Sequence, residues 1–298
     1  MATFFNEAVS RRQFVAGSLL SLGVLPALAA PTRVQNELTV QQLIDLILKE
    51  IPGQVSNTVD TIKIGNANQK ITGVVASMFP TIEVIRKAIE LSANFLIVHE
   101  PSFYNHLDDT GWLEQDEVFR FKKSLLVKNQ IAVWRFHDYI HRHEPDGVLE
   151  GVIQKLGWKK FQDQSKPYLF SLPTQSRLQT ILADVKTKLA IPNVRIVGST
   201  DDLCQRVLLL PGAWGGRNQM TQIMETKPDL VICGEVAEWE TSEYIRDARA
   251  MGLKRSLVVL GHAQSEEPGL AWLVNWLQEK APMVKATHIP SQNPFTFA

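Results

Sequence analysis

Asn94-Phe95-Leu96-Ile97-Val98-His99-Glu100-Pro101 is a short apolar run over 94–98 that ends in two potential metal ligands. The run is rich in β-branched residues and follows a helical pattern, which predicts a buried strand. A histidine and a glutamate on consecutive positions at the end of such a strand cannot both belong to the core. The arrangement returns far along the chain, where Ser256-Leu257-Val258-Val259-Leu260 runs into Gly261-His262, with Glu266 four residues on. That spacing puts both side chains on one face of a helical turn. Imidazole and carboxylate together favour zinc, manganese or iron. The carboxyl ends of strands in an open α/β sheet converge on one crevice, so a metal site built from distant segments is expected.

Working outward, Thr81 caps a helix to about residue 92, with Val84, Ile85, Ala88, Ile89 and Leu91 on its inner face. Residues 61–64 and 71–76 read as strands, and 39–51 as a helix capped by Thr39. A helix over 118–128 leads into a strand over 131–136, followed by His137-Asp138-Tyr139-Ile140-His141. Asp146-Gly147 opens a further helix that closes at Leu156-Gly157. Strands over 206–210 and 229–233 follow, with a glycine-rich turn over 211–216 between them. A helix over 242–251, the strand before Gly261 and a helix from about 268 to 280 complete the pattern. Strands alternating with helices predict an α/β protein with mostly parallel sheets and helices on both faces. Two lobes, roughly 30–165 and 166–298, are expected to meet at the metal site, with the division within 158–177.

Ser10-Arg11-Arg12-Gln13-Phe14-Val15, a short apolar stretch and Ala27-Leu28-Ala29 form a twin-arginine leader over 1–29. The expected mature protein is periplasmic or otherwise exported, with no membrane association after cleavage. Its apolar stretch is shorter than the ~20 residues a spanning helix needs. The 298-residue chain carries 31 Lys and Arg against 31 Asp and Glu. This balance gives no electrostatic footprint for nucleic acid. Cys204 and Cys233 read as small buried hydrophobes, although the compartment would permit a disulfide.

Among the seven histidines, a lone one is more often a satisfied core or surface residue than a ligand. The carboxylate beside His99 and the matching segment at His262 favour metal for those two. His137, Asp138, His141 and His143 can each reach an ion, and one or two of them are expected to do so. His106 and His288 are assigned no role. Glu267 reads as a first-turn helix carboxylate, and Trp112, Trp214 and Trp239 as interface or pocket residues.

His99-Glu100-Pro101, the 137–141 segment with Asp146-Gly147, and Gly261-His262-Ala263-Gln264-Ser265-Glu266 resemble the Nif-three-like family of dinuclear-metal proteins. The resemblance extends over nearly the whole mature chain and implies a two-lobed α/β fold, a homo-oligomer (a ring-shaped hexamer) and one or two divalent metal ions per chain. Some members carry the name type 2 GTP cyclohydrolase I. Position by position it implies the ligands His99, Glu100, His141, His262 and Glu266. Glu100 stands where the family has histidine and His141 where it has aspartate, so three imidazoles and two carboxylates remain. Because an imidazole has one free lone pair, bridging would pass to Glu100 and Glu266. Two functions are expected of such a site. One is a metal-dependent hydrolase acting on a small phosphoester, nucleotide or cyclic amide, with Asp138 or Glu235 as acid–base residue and Tyr139 or Glu235 orienting substrate. The turn at Gly215-Gly216 would offer amides to a phosphate. The alternative is a metal-binding scaffold without turnover.

Overall fold

Phe95, Leu96, Ile97 and Val98 form a strand with all four residues buried. Their side chains alternate across the sheet: Phe95 and Ile97 enter one core, Leu96 and Val98 another. In the computed structural model, residues 37–297 are described; the leader expected over 1–29 lies outside them.

The first half of the described chain contains α1 (Val40–Lys49), β1 (Ile62–Ile64), β2 (Val74–Ser77), α2 (Ile82–Glu90), β3 (Phe95–Val98), α3 (Glu117–Lys128), β4 (Ala132–Arg135), α4 (Asp138–Arg142) and α5 (Gly147–Leu156). The second half contains β5 (Leu169–Arg177), α6 (Leu178–Leu189), β6 (Arg195–Val197), β7 (Leu203–Leu210), α7 (Gly216–Thr226), β8 (Leu230–Cys233), α8 (Glu243–Ala250), β9 (Ser256–Val259), α9 (His262–Lys280) and β10 (Ala286–His288). Polar caps start several helices as their sequences demand. Thr39 and Gln42 form a reciprocal capping box, and Thr81 and Asp116 accept from the third amide of α2 and α3.

Two five-stranded sheets result, ordered β1-β4-β3-β2-β10 and β5-β7-β8-β9-β6. The inner strands run parallel, while β1, β5 and β6 pair antiparallel at the edges. α2 and α3 cover the outer face of the first sheet, and residues of α8 and α7 that of the second. Between the sheets lie α5 and α9. Val148 of α5 joins Leu270, Leu273 and Leu277 of α9 in the first sheet's inner core, whereas Leu149, Val152 and Leu156 pack into that of the second. The two helices approach closely because a Cβ on Gly151 or Gly269 would overlap the other helix's backbone.

Three features depart from the sequence expectation. Residues 158–177 are not a boundary segment alone, since β5 occupies their end. Its mostly exposed pattern and Pro173 suit an edge strand but hide the apolar signal. β10 returns to pair with β2, so cutting the chain at 165/166 would separate this strand from its sheet. α9 begins at His262 and runs through Pro268, which had read as its start. Cys204 and Cys233, in contrast, are free and buried in strands, as small buried hydrophobes are expected to be. Among the described residues, no helix is long and apolar enough to cross a membrane.

Candidate metal centre

Strand ends bring the candidate ligands together. His99 and Glu100 follow β3, His137 follows β4, His141 lies on α4, and His262 and Glu266 occupy the first turns of α9. Asp60 shapes the turn after β4: its carboxylate accepts the amides of His137 at 2.8 Å, Asp138 at 3.0 Å and Tyr139 at 2.9 Å. Burial raises the Asp60 pKa, against the pull of those amides. Gly261, at φ 102°, turns the chain from β9 into α9 in a conformation that suits glycine. Ser265 ties this helix to the turn after β7, since its hydroxyl accepts the Gly212 amide at 2.9 Å and donates to the His262 carbonyl at 2.6 Å.

Glu100 Oε1 lies 3.2 Å from His262 Nε2, 3.7 Å from His137 Nε2 and 3.9 Å from His99 Nε2. Glu266 Oε2 lies 3.1 Å from His262 Nε2 and 3.6 Å from His99 Nε2. Rings 99 and 137 stack at 4.6 Å, and ring 141 meets them edge-on at 5.0 and 5.2 Å. Two groups can hold a divalent ion, His99 with His137 and His141, and His99 with Glu100 and Glu266, their ligand atoms lying within 4.8 Å of one another.

Hydrogen bonds aim several of these side chains. His99 Nδ1 faces the Phe136 carbonyl at 3.2 Å, and His141 Nδ1 faces Asp146 at 3.0 Å. Each arrangement leaves Nε2 toward the cluster, the outer-sphere support that metal-bound histidines require. His99 Nε2 and Glu266 Oε2 are buried without a hydrogen-bond partner among the described residues. An orphaned nitrogen and an orphaned carboxylate oxygen side by side fit a cation, whose coordination would satisfy both.

Electrostatics favour ligation directly at His99 and Glu100, whereas an ion would have to displace a proton from His262 and His141. Burial lowers the His99 pKa to about 4, keeping the ring neutral. Burial opposes ionisation of Glu100, but the bond to His262 and the surrounding imidazoles carry its pKa down to about 2. Burial disfavours the charged form of His262 as well, yet Glu100 and Glu266 overcome it and raise its pKa to about 10. For His141 burial acts downward and Asp146 upward, with a net rise.

The family model described as Duf34/NIF3 (NGG1p interacting factor 3) matches residues 38–294. The chain belongs to the Duf34/NIF3 family. A GTP cyclohydrolase 1 type 2 homolog of Clostridium perfringens is 21% identical over 252 residues, which cover 81% of this chain and 92% of the relative. A protein of the same name from Nostoc is 26% identical over 222 residues, covering 69% and 77%. Among solved structures, Staphylococcus aureus hypothetical protein SA1388 superposes with a TM-score of 0.71 at 19% identity, covering 88% of this chain and 100% of that one. A Bacillus cereus protein related to NIF3 gives 0.69 at 19% identity, covering 87% and 99%. These likenesses show the NIF3 fold.

Other sequence candidates take different places in this NIF3 fold. Asp138 accepts from Thr58 Oγ1 at 2.8 Å and the Val59 amide at 3.1 Å, and meets His137 Nδ1 at 3.0 Å. It therefore orients His137 from behind. Glu235 is exposed, 3.3 Å from His262 Nδ1. Tyr139 has its hydroxyl on the Val55 amide, which leaves it structural. The Gly216 amide donates to Glu240 at 3.0 Å, so a carboxylate already takes the place imagined for a phosphate. His143 packs on Trp272, and His288 meets Glu267, whose carboxylate also holds Ser291. Trp214 lines the cleft, whereas Trp112 and Trp239 are exposed.

His137 belongs to the cluster although it was not among the ligands implied by resemblance. Its position at a strand end, four residues before His141, was the available signal. Arg135, fully buried beside Glu100, was missed; an arginine inside the apolar run over 131–136 was the clue.

Proposed function

We propose that this chain is a divalent-metal-dependent hydrolase with two ions at the cluster. One observation carries the reading: the two ligand groups share His99, and His99 has a single nitrogen to offer. An ion held by His99, His137 and His141 leaves Glu100, Glu266 and His262 for a second. Bound there, zinc, manganese or iron would polarise a phosphoryl or carbonyl oxygen and acidify water. The chain's own contribution is to orient the imidazoles through Asp138, Asp146 and the Phe136 carbonyl. A cleft of about 350 Å³, bordered by Tyr168, Trp214 and Asn218, opens onto Glu100, His262 and Glu266. It suits a small phosphoester, nucleotide or cyclic amide, and the names of the relatives support a nucleotide.

One observation favours the scaffold alternative. Asp138 is committed to Thr58, Val59 and His137, which leaves Glu235 as the acid–base candidate outside the ligand groups. A panel of phosphoesters, nucleotides and cyclic amides assayed with each metal decides between them. Turnover by the wild type that is lost in His262→Ala supports the hydrolase; full metal occupancy without turnover supports the scaffold. Export by the twin-arginine route and assembly into a ring belong to the same proposal, resting on Arg11-Arg12 and on the resemblance.

A further inference from the structure

We infer that Arg135 is a positioning residue that makes Glu100 a one-oxygen metal ligand. Glu100 has two distinct sides. Oε1 faces His262, His137 and His99, whereas Oε2 faces Arg135 Nη2 at 3.6 Å.

The guanidinium is held from behind. Its Nε donates to the His99 carbonyl at 3.2 Å, and Nη1 donates to the His106 carbonyl and lies 3.9 Å from Asp108 Oδ2. Asp108 is fixed in turn by the Phe103 amide at 2.7 Å and by Lys63 at 3.5 Å. Nη2 is buried and has no hydrogen-bond partner among the described residues, so the remaining donor group points toward the Glu100 side. A buried arginine is charged, and it stands between two carboxylates, Asp108 on the Nη1 side and Glu100 on the Nη2 side.

Two consequences follow for the metal centre. With Oε2 held toward a cation, Oε1 alone is offered to an ion, and Glu100 cannot bridge through both oxygens. The arginine also offsets the charge that the carboxylate adds, so the Glu100–Arg135 pair approximates a neutral donor. Bridging is then through a single oxygen, for which Glu100 Oε1 and Glu266 Oε2 are both placed, each reaching His99 and His262. Arg135 acts through Glu100 and touches no substrate.

This inference rests on the cluster being a metal centre, and the experiment separates the two. Difference infrared spectra between zinc-loaded wild type and Glu100→Gln isolate the Glu100 carboxylate. A wide separation of its two stretching bands is expected, the signature of one-oxygen ligation. Arg135→Met should narrow it and weaken zinc binding by chelator competition ~10–100-fold. Arg135→Lys, which keeps a cation, should retain the wide separation with a smaller loss. In a Glu100→Gln background Arg135→Met should cause no further loss, whereas a merely structural arginine would weaken zinc equally in both. A narrow separation in the wild type, or equal losses in both backgrounds, overturns the inference. Wild type that takes up no metal overturns the metal reading and this inference with it, whereas metal uptake with a narrow separation overturns this inference alone.

Discussion

Gly212 shows how much a single residue can decide at this centre. Its φ is +74°, and a Cβ there would overlap the Glu266 carboxylate. Gly212→Ala should cost ~1–3 kcal/mol through strain and overlap and should displace Glu266. Denaturant unfolding measures the first effect and metal content of the purified variant the second; a fully loaded variant of unchanged stability would contradict both. The titrating residues make a second prediction, for protein stripped of metal. His99 is lowered from 6.5 to about 4, so its contribution is complete above pH 6.5 and is lost as pH falls toward 4. Glu100, lowered from 4.5 to about 2, acts in the same direction at lower pH. His262 is raised from 6.5 to about 10, so its contribution is complete below pH 6.5 and is lost as pH rises through 10. Tm in the presence of chelator should therefore peak near pH 6.5, and His262→Gln should flatten the alkaline side. A Tm that climbs from pH 7 to 10 in the wild type would refute the assignment.

At the scale of elements, the turn between β4 and α4 governs where two imidazoles stand. Asp60 closes that turn by accepting three consecutive amides, a task that neither His137 nor Asp138 performs for itself. Asp60→Ala strands these groups, with an expected loss of ~1–3 kcal/mol, and frees His137 and His141 to drift. Amide hydrogen exchange at residues 137–141 should accelerate in this variant while β8 and β9 stay protected. Most elements were legible for physical reasons. β2, β3, β8 and β9 are buried throughout, so their sequences are apolar runs with only a terminal Ser77 or Ser256 between them, and α1 and α2 announce themselves by cap residues. β5, β6 and β10 were not legible, because edge strands bury less and are shorter or polar. α7 escaped because its entry is a glycine with no side-chain cap. The start of α9 was misplaced because proline is favoured in a first turn, whereas here the sharp turn at Gly261 begins the helix and Pro268 sits inside it.

Across the whole molecule, the centre unites the two sheets. His99, Glu100 and His137 come from strand ends of the first, His262 from the end of β9 in the second, and α9 then carries Glu266 between them. An ion ligated by both sides should stabilise the folded chain as a unit. At a free concentration of about 100 Kd, linkage gives ~2.7 kcal/mol, or roughly 5–10 °C in Tm for a chain of this size. Calorimetry with added zinc or manganese should show that rise, and chelator should reverse it. An unchanged Tm at saturating metal would argue that the ligands are not joined through an ion.

Residue order by itself determined the alternation of strands and helices, and it marked His99, Glu100, His262 and Glu266, because local burial and helical spacing are written in neighbouring residues. Tertiary structure alone decided that His137 stacks on His99, that Asp138 backs His137, and that Arg135 claims one oxygen of Glu100. Those relations join segments separated by tens of residues, and a side chain's direction there depends on which sheet edge or loop meets it after folding.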